Sequence, residues 1–205
     1  MKLHEIHLRR QHTTKLYKIS DFDSQTKILV GRGEGGLLIY KQTSPKDKIA
    51  ALYTLENHNM MLSGVIGYFF PHNNIQYFKI IDVFTPPEQQ MKGYATALYT
   101  ALVKKYKFKL MSAAEQTPNG KKLWNSIQKT LNVKVLDAET DQILSKDNIS
   151  DEDIYVNQPN RYLLIAEQTY LNENHRKLME PSLVGDFIVD DYLNYTHIEN
   201  EGKYP

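Results

Sequence analysis

Residues 75–106 read IQYFKIIDVFTPPEQQMKGYATALYTALVKKY, and the fold turns on this stretch. Its first ten residues are aromatic and β-branched apart from Gln76, Lys79 and Asp82, and read as a strand. Thr85-Pro86-Pro87 ends that strand, because proline has no N–H to give to a ladder. Beyond it, Tyr94, Ala97, Leu98, Ala101, Leu102 and Lys105 recur at helical spacing with no proline between them, which predicts an amphipathic helix over 88–106. A strand that enters a helix through a short glycine-bearing loop is a building unit of mixed α/β domains.

The junction is Gln90-Met91-Lys92-Gly93-Tyr94-Ala95. Gly93 removes a Cβ where a ligand must approach the backbone, and Ala95 keeps the next outward position small. The first turn of a helix leaves N–H groups unpaired and carries the positive end of its dipole, so it suits a pyrophosphate. Lys92 adds a cation and Gln90 a long donor at the same loop.

Upstream, short β-type runs fall at 15–19, 27–30 and 37–41, and the glycine cluster Gly31-Arg32-Gly33-Glu34-Gly35-Gly36 between the last two reads as a hairpin loop. Further strands at 49–56 and 61–70 end at Asn57-His58-Asn59 and Pro71-His72-Asn73-Asn74, which with 75–84 makes an antiparallel meander. Downstream come a strand at 108–112 and a helix over 118–131, with Thr117 as N-cap and Pro118 at its first position. A hairpin follows at 133–136 and 142–144, then an acidic loop at 147–153 and a strand at 161–166. The tail from 172 has helical character at 187–193. The order predicts a mixed α/β fold with a mostly antiparallel central sheet flanked by helices, a domain over 1–170 and a C-terminal extension over 171–205.

The chain has 205 residues, 41% of them hydrophobic, enough for a packed core. It has no cysteine, which excludes disulfides, thiolate metal sites and a cysteine nucleophile. The charged start, Met1-Lys2-Leu3-His4-Glu5, leads into no apolar run, and no apolar stretch is long enough to span a bilayer. These features point to a cytoplasmic protein without membrane association. Net charge is +1, but unevenly spread. Lysines 92, 104, 105, 107, 109, 121, 122, 129 and 134 face one acid, Glu115, within 92–134, and the later third is acidic. Such a distribution is either a set of solvated faces or a funnel for a polyanion.

With Gln90-x-x-Gly93-x-Ala95 at the start of a helix behind a strand, the chain resembles the GNAT acyltransferases, which carry Arg/Gln-x-x-Gly-x-Gly/Ala there. The run 88–98 looks like the histone-acetyltransferase branch of that superfamily, and the likeness spans about residues 62–131. The resemblance implies an acyl-coenzyme A co-substrate, acetyl-CoA first, with no metal, and an amine-bearing acceptor that attacks the thioester directly. It implies that Gln90, Met91, Lys92, Gly93, Tyr94 and Ala95 hold the pyrophosphate. Val83, Phe84 and Thr85 then pair with the pantetheine arm like an added strand, while the next strand, 109–112, splays away. The following helix in the family commonly begins with Asn, here Asn119, and carries a Tyr that acts as general acid. Trp124 stands at that position, and an indole cannot supply the proton.

Asp82 is the candidate general base, because a carboxylate buried in an apolar strand has a raised pKa. The same carboxylate could instead pair with a lysine or cap a loop. Strand parity places the family's strand-four glutamate on the face of Lys79 and Ile81, unless a bulge intervenes. Ser112, Ser126 and Tyr155 are candidate acids. The histidines, among them His4, His7 and His72, show no metal-ligand spacing. Two other classes stay open. One is a nucleic-acid modifier, since the superfamily includes phage proteins that modify DNA bases and the stretch from Lys104 to Lys134 is basic. The other is a non-catalytic binding protein that has lost its acid. The acidic tail with Tyr170, Tyr192, Tyr195 and Tyr204 suits a partner or a second copy of the chain.

Overall fold

The computed structural model describes residues 18–45, 50–158 and 161–168. The strands are β1 (Ile28–Arg32), β2 (Leu38–Thr43), β3 (Ala50–Asn57), β4 (Met60–His72), β5 (Ile75–Phe84), β6 (Leu110–Met111), β7 (Asn132–Asp137), β8 (Gln142–Ser145) and β9 (Tyr162–Glu167). The α-helices are α1 (Tyr94–Lys104), between β5 and β6, and α2 (Pro118–Ile127), between β6 and β7. Among the described residues the strands form one sheet in the order β1-β2-β3-β4-β5-β6-β9-β7-β8. Neighbours are antiparallel except β5 and β6, which run parallel. A parallel pair needs a crossover, and α1 supplies it. The fold is thus mixed α/β with a mostly antiparallel sheet, as the sequence predicts.

The meander is set by its turns. His58 and Asn59 sit at φ 46° and 65°, and Asn73 and Asn74 at 49° and 60°. Two consecutive positive φ values match the right-handed twist of the flanking strands, and Asn adopts them at low cost. The glycine cluster is the β1–β2 hairpin connection, with Gly35 and Gly36 at φ 65° and 77°.

Alternation along the strands gives the sheet two apolar faces. Both helices cover one. Leu98, Tyr99, Leu102 and Val103 of α1 and Trp124 and Ile127 of α2 share a core with Tyr53, Val65, Phe78, Leu110, Val135 and Leu164. Tyr77, Met111, Leu136, Leu163 and Ile165 form a separate buried cluster, and Phe22, Ala50, Leu52 and Ile66 another.

Several expected boundaries move. Of the strand expected at 15–19, residues 15–17 lie outside the described residues, and Ile19 opens a 3-10 turn, Ile19–Asp21. The helix expected from 88 begins at Tyr94, because Met91 and Gly93 adopt φ 62° and 80° and break helical geometry. The helix expected to 131 ends at Ile127, and the strand expected at 108–112 pairs only at Leu110–Met111. The acidic loop contains the turns Lys146–Asn148 and Asp153–Asn157. The helix expected at 187–193 lies outside the described residues. Contacts divide the chain between 169 and 170, and everything described belongs to the first part.

Candidate functional site

The parallel pair parts almost as soon as it forms. Phe78 faces Leu110 and Lys79 faces Met111, with the Phe78 N–H donating to the Lys109 carbonyl at 2.8 Å. Beyond β6 the chain leaves β5 and stays with β9, which already pairs with Leu110 and Met111. Ser112 N–H donates to the Leu164 carbonyl at 2.8 Å, and Leu164 N–H donates to Ser112 Oγ at 3.0 Å. Ser112 is fully buried and its side chain holds this divergence, so it does not face a reacting centre. β5 runs on as Ile80–Ile81–Asp82–Val83–Phe84 with no further pairing to β6.

A bulge lies in this unpaired part. Ile66 pairs with Asp82 and Gly67 with Ile80, leaving Ile81 as the extra residue on β5. Gly67 is required, since a Cβ there would lie 2.5 Å from the Lys79 carbonyl oxygen and 2.7 Å from the Phe78 ring. The bulge changes the strand's parity. Phe78 and Ile80 join the helix-covered core before it, and Val83 packs against that core after it. Asp82 falls opposite Ile66, whose cluster on the other face also takes Ile81 and Phe84. The parity objection raised by the sequence is therefore removed, because a bulge does intervene.

The burial expected of Asp82 is not found. Its side chain is exposed, and Oδ1 accepts the Val83 N–H at 2.8 Å. Asp82 therefore lacks the buried setting expected of it from the apolar strand. The bond to Val83 lies within the strand, so it is neither the lysine pairing nor the loop cap that the sequence left open. Nearby, Tyr99 is buried, and its phenol pKa is raised by burial first and by the Asp82 charge second.

The loop after β5 is braced from inside. Ser63 Oγ donates to the Phe84 carbonyl at 3.2 Å and lies 3.2 Å from Thr85 Oγ1. Gln90 Nε2 donates across the loop to the Thr85 carbonyl at 3.3 Å. Gln89 is buried, reaches Met60 Sδ at 3.7 Å and accepts from Lys92 Nζ at 3.2 Å. Met91 is 97% exposed. At α1 the first intrahelical bond runs from Ala97 N–H to the Gly93 carbonyl at 2.9 Å. The N–H groups of Tyr94, Ala95 and Thr96 precede it, and no N-cap side chain satisfies them. A Cβ built on Gly93 meets nothing within 4 Å, so the space over this turn is open. The left-handed φ is the structural reason for glycine at 93.

α2 is tied to α1 by Thr96 Oγ1 donating to Ser126 Oγ at 3.3 Å. Its N-cap is Thr117, whose Oγ1 accepts the Gly120 N–H at 3.1 Å, and Asn119 is exposed on its first turn. Trp124 is buried and meets Tyr99 edge-to-face at 6.0 Å, so it is a core residue. Tyr155 packs its ring under Lys121 Nζ at 4.7 Å, and its pKa is pushed up to about 12 by burial and by Asp151. Of the candidate acids, Ser112 and Ser126 are engaged in packing bonds, and Tyr155 packs against the helix-covered core.

The basic stretch is partly neutralised. Glu167 lies 2.6 Å from Lys134 and 3.7 Å from Lys109. Lys105 donates to the Arg32 carbonyl and Lys107 to Gln168, each at 2.6 Å. A separate open depression of about 330 Å³, lined by Arg32, Gly35, Gly36, Glu56, Asn57 and His58 among others, includes no residue of the β5 edge or its loop. Among the described residues no group of three or more His, Asp or Glu could hold a metal ion, and no helix is long and apolar enough to cross a membrane. No protein-family model and no curated protein sequence matches the chain.

The Asp82–Val83 bond escaped the sequence, and the bulge, raised there only as a condition on strand parity, had a signal in Gly67 across the ladder.

Proposed function

We propose that this chain is an acyl-coenzyme A dependent N-acyltransferase with a GNAT-like fold, with acetyl-CoA as its first donor candidate. One observation carries the reading. β5 loses its parallel neighbour just where it leads, through the braced loop, to the uncapped and open N-terminus of α1. An unpaired strand edge accepts an extended chain carrying amides, such as pantetheine, and three free N–H groups at a helix start accept its pyrophosphate. Tyr94, Ala95 and Thr96 supply those N–H groups, with Lys92 as the nearby cation and Gln90 bracing the loop. Val83, Phe84 and Thr85 supply the edge, Met91 is exposed in the loop before the turn, and Asn119 stands at the α2 start.

In the reaction, a neutral amine attacks the thioester carbonyl carbon. The C–N bond forms, the C–S bond breaks, and the amine proton passes to the Asp82 carboxylate, directly or through water. The departing thiolate then takes a proton from the carboxylic acid so formed, because a thiol holds its proton more tightly than a carboxyl group. This route needs no acid from Trp124. Most of the acceleration comes from holding donor and acceptor in line.

The burial of Trp124 and the engagement of Ser112 favour a second reading, a GNAT-like protein that binds the coenzyme without turnover. Acetyl-CoA should raise the melting temperature under both readings, by binding the native state. No shift at millimolar acetyl-CoA refutes both. Thiol release with a panel of amines then separates them. The nucleic-acid reading predicts salt-sensitive binding to DNA or RNA, and the pairing of Lys109 and Lys134 with Glu167 weakens its electrostatic basis.

A further inference from the structure

We infer that Asp82 is a built-in occupant of the slot along β5. Its carboxylate holds the Val83 N–H that an incoming ligand carbonyl would use, and must release it before that carbonyl can bind. The inference rests on the reading of the β5 edge as a coenzyme slot and adds to it a competing group from the chain itself.

Three observations carry it. First, the Val83 N–H donates to Asp82 Oδ1 at 2.8 Å, and that carboxylate is exposed, so the donor lies within reach of solvent and ligand. Second, Val83 stands where β5 has already lost β6, so that strand offers its backbone no acceptor. A strand-edge N–H needs one, and an adjacent carboxylate is a strong one. Third, the donor is fixed while the acceptor is not. Val83 packs its side chain against the helix-covered core, and the bulge at Ile81 sets its backbone. Among the described residues Asp82 has no other hydrogen bond or ion pair, so its side chain can rotate away from them by breaking this one bond.

The chemistry follows. A hydrogen bond to a carboxylate is roughly twice as strong as one to a neutral carbonyl. A ligand carbonyl at Val83 must therefore displace a better acceptor, and the intact chain binds acyl donor more weakly than its contacts alone allow. The displaced carboxylate stays beside the bound carbonyl, where it can receive the amine proton. Arrival of the acyl group and release of the base become one exchange, so Asp82 acts on binding and turnover with opposite signs.

The test is calorimetric titration of the full chain with acetyl-CoA, for wild type, Asp82→Ala and Asp82→Asn, alongside thiol release with the best amine of the panel. Asp82→Ala should bind acetyl-CoA about 5- to 10-fold more tightly than wild type, since a charge-assisted hydrogen bond no longer competes. Asp82→Asn keeps a neutral oxygen at the same place and should fall between the two. Turnover should drop in both variants. A purely structural role for Asp82 predicts weaker or unchanged binding instead. If wild type binds acetyl-CoA at least as tightly as Asp82→Ala, the inference is overturned while the coenzyme reading stands. If none of the three binds, the coenzyme reading itself fails and the inference falls with it. The Val83 amide resonance gives an independent check. It should move more than its neighbours in Asp82→Ala without ligand, and an unmoved resonance means that the bond to Asp82 is not formed in solution.

Discussion

Gly93 offers the sharpest separation of fold from function. Its φ of 80° lies in the left-handed region, and a Cβ built on it meets nothing within 4 Å. Replacement by alanine therefore costs only backbone strain, about 1–2 kcal/mol. Replacement by asparagine, which tolerates left-handed φ, should cost less. Neither side chain reaches far over the first turn of α1, so acetyl-CoA affinity should fall no more than a few-fold. Gly93→Glu carries the same strain as alanine, but it places a carboxylate on the turn where Tyr94, Ala95 and Thr96 present their N–H groups. At about 5 Å from a phosphate charge, with an effective dielectric near 40 for a wet surface, repulsion is about 1.7 kcal/mol per charge pair. Screening reduces the sum over two phosphates, which leaves a loss of affinity on the order of 30-fold. Chemical denaturation gives the stability arm and titration with acetyl-CoA the binding arm. The reasoning predicts that alanine and glutamate variants match in stability and part in affinity. Equal affinities for the two would place the pyrophosphate elsewhere.

Three other outcomes follow from the packing. Gly31 lies directly against the Tyr106 hydroxyl, so Gly31→Ala should destabilise by about 1–3 kcal/mol, and adding Tyr106→Phe should recover much of it in urea melts. Asp137 is buried, which alone would raise its pKa, but hydrogen bonds from Arg161 and from the Glu139 and Thr140 backbone N–H groups hold it below the usual carboxylate range. Its stabilisation is therefore complete above the unfolded-state pKa and lost as pH falls through the lower folded value, and Asp137→Asn should flatten that part of the stability–pH curve. Trp124→Phe should lower stability by about 1 kcal/mol yet leave thiol release within a few-fold of wild type, because the indole is core and not the proton donor. A tenfold loss of turnover at unchanged acetyl-CoA affinity would return Trp124 to the reacting centre.

How much of this was legible in the sequence depends on the range of the interaction that decides each feature. The β5 strand, the α1 face and the turns at His58-Asn59 and Asn73-Asn74 were readable, because periodicity and positive-φ residues act within a few positions. The start of α1 was read six residues early, since Glu88, Gln89 and Gln90 have good helix propensity and only the left-handed Met91 and Gly93 override it. The exposure of Asp82 departs from the sequence pattern for a different reason. An apolar strand around a carboxylate implies burial only if both sheet faces and both edges are covered, and the divergence of β6 uncovers this one. That divergence is a contact between Ser112 and Leu164, 52 positions apart, which no local pattern encodes.

The same long-range event links the two halves of the candidate site. If β6 continued along β5 beyond Met111, it would satisfy the backbone edge at Val83. The bulge at Ile81 would then have a neighbouring strand to disrupt, and Asp82 would lie against it. An unpaired edge beside a free helix N-terminus is costly to a fold that gains nothing from it, because edges invite pairing with other chains and free N–H groups are left to solvent. Among the described residues neither is covered by a side-chain cap or a further strand, and the loop between them is braced by Ser63, Gln89 and Gln90. On the proposed coenzyme reading, rigid support around an open backbone edge preorganises the site, so that the cost of holding donors in place is met during folding and not on ligand arrival.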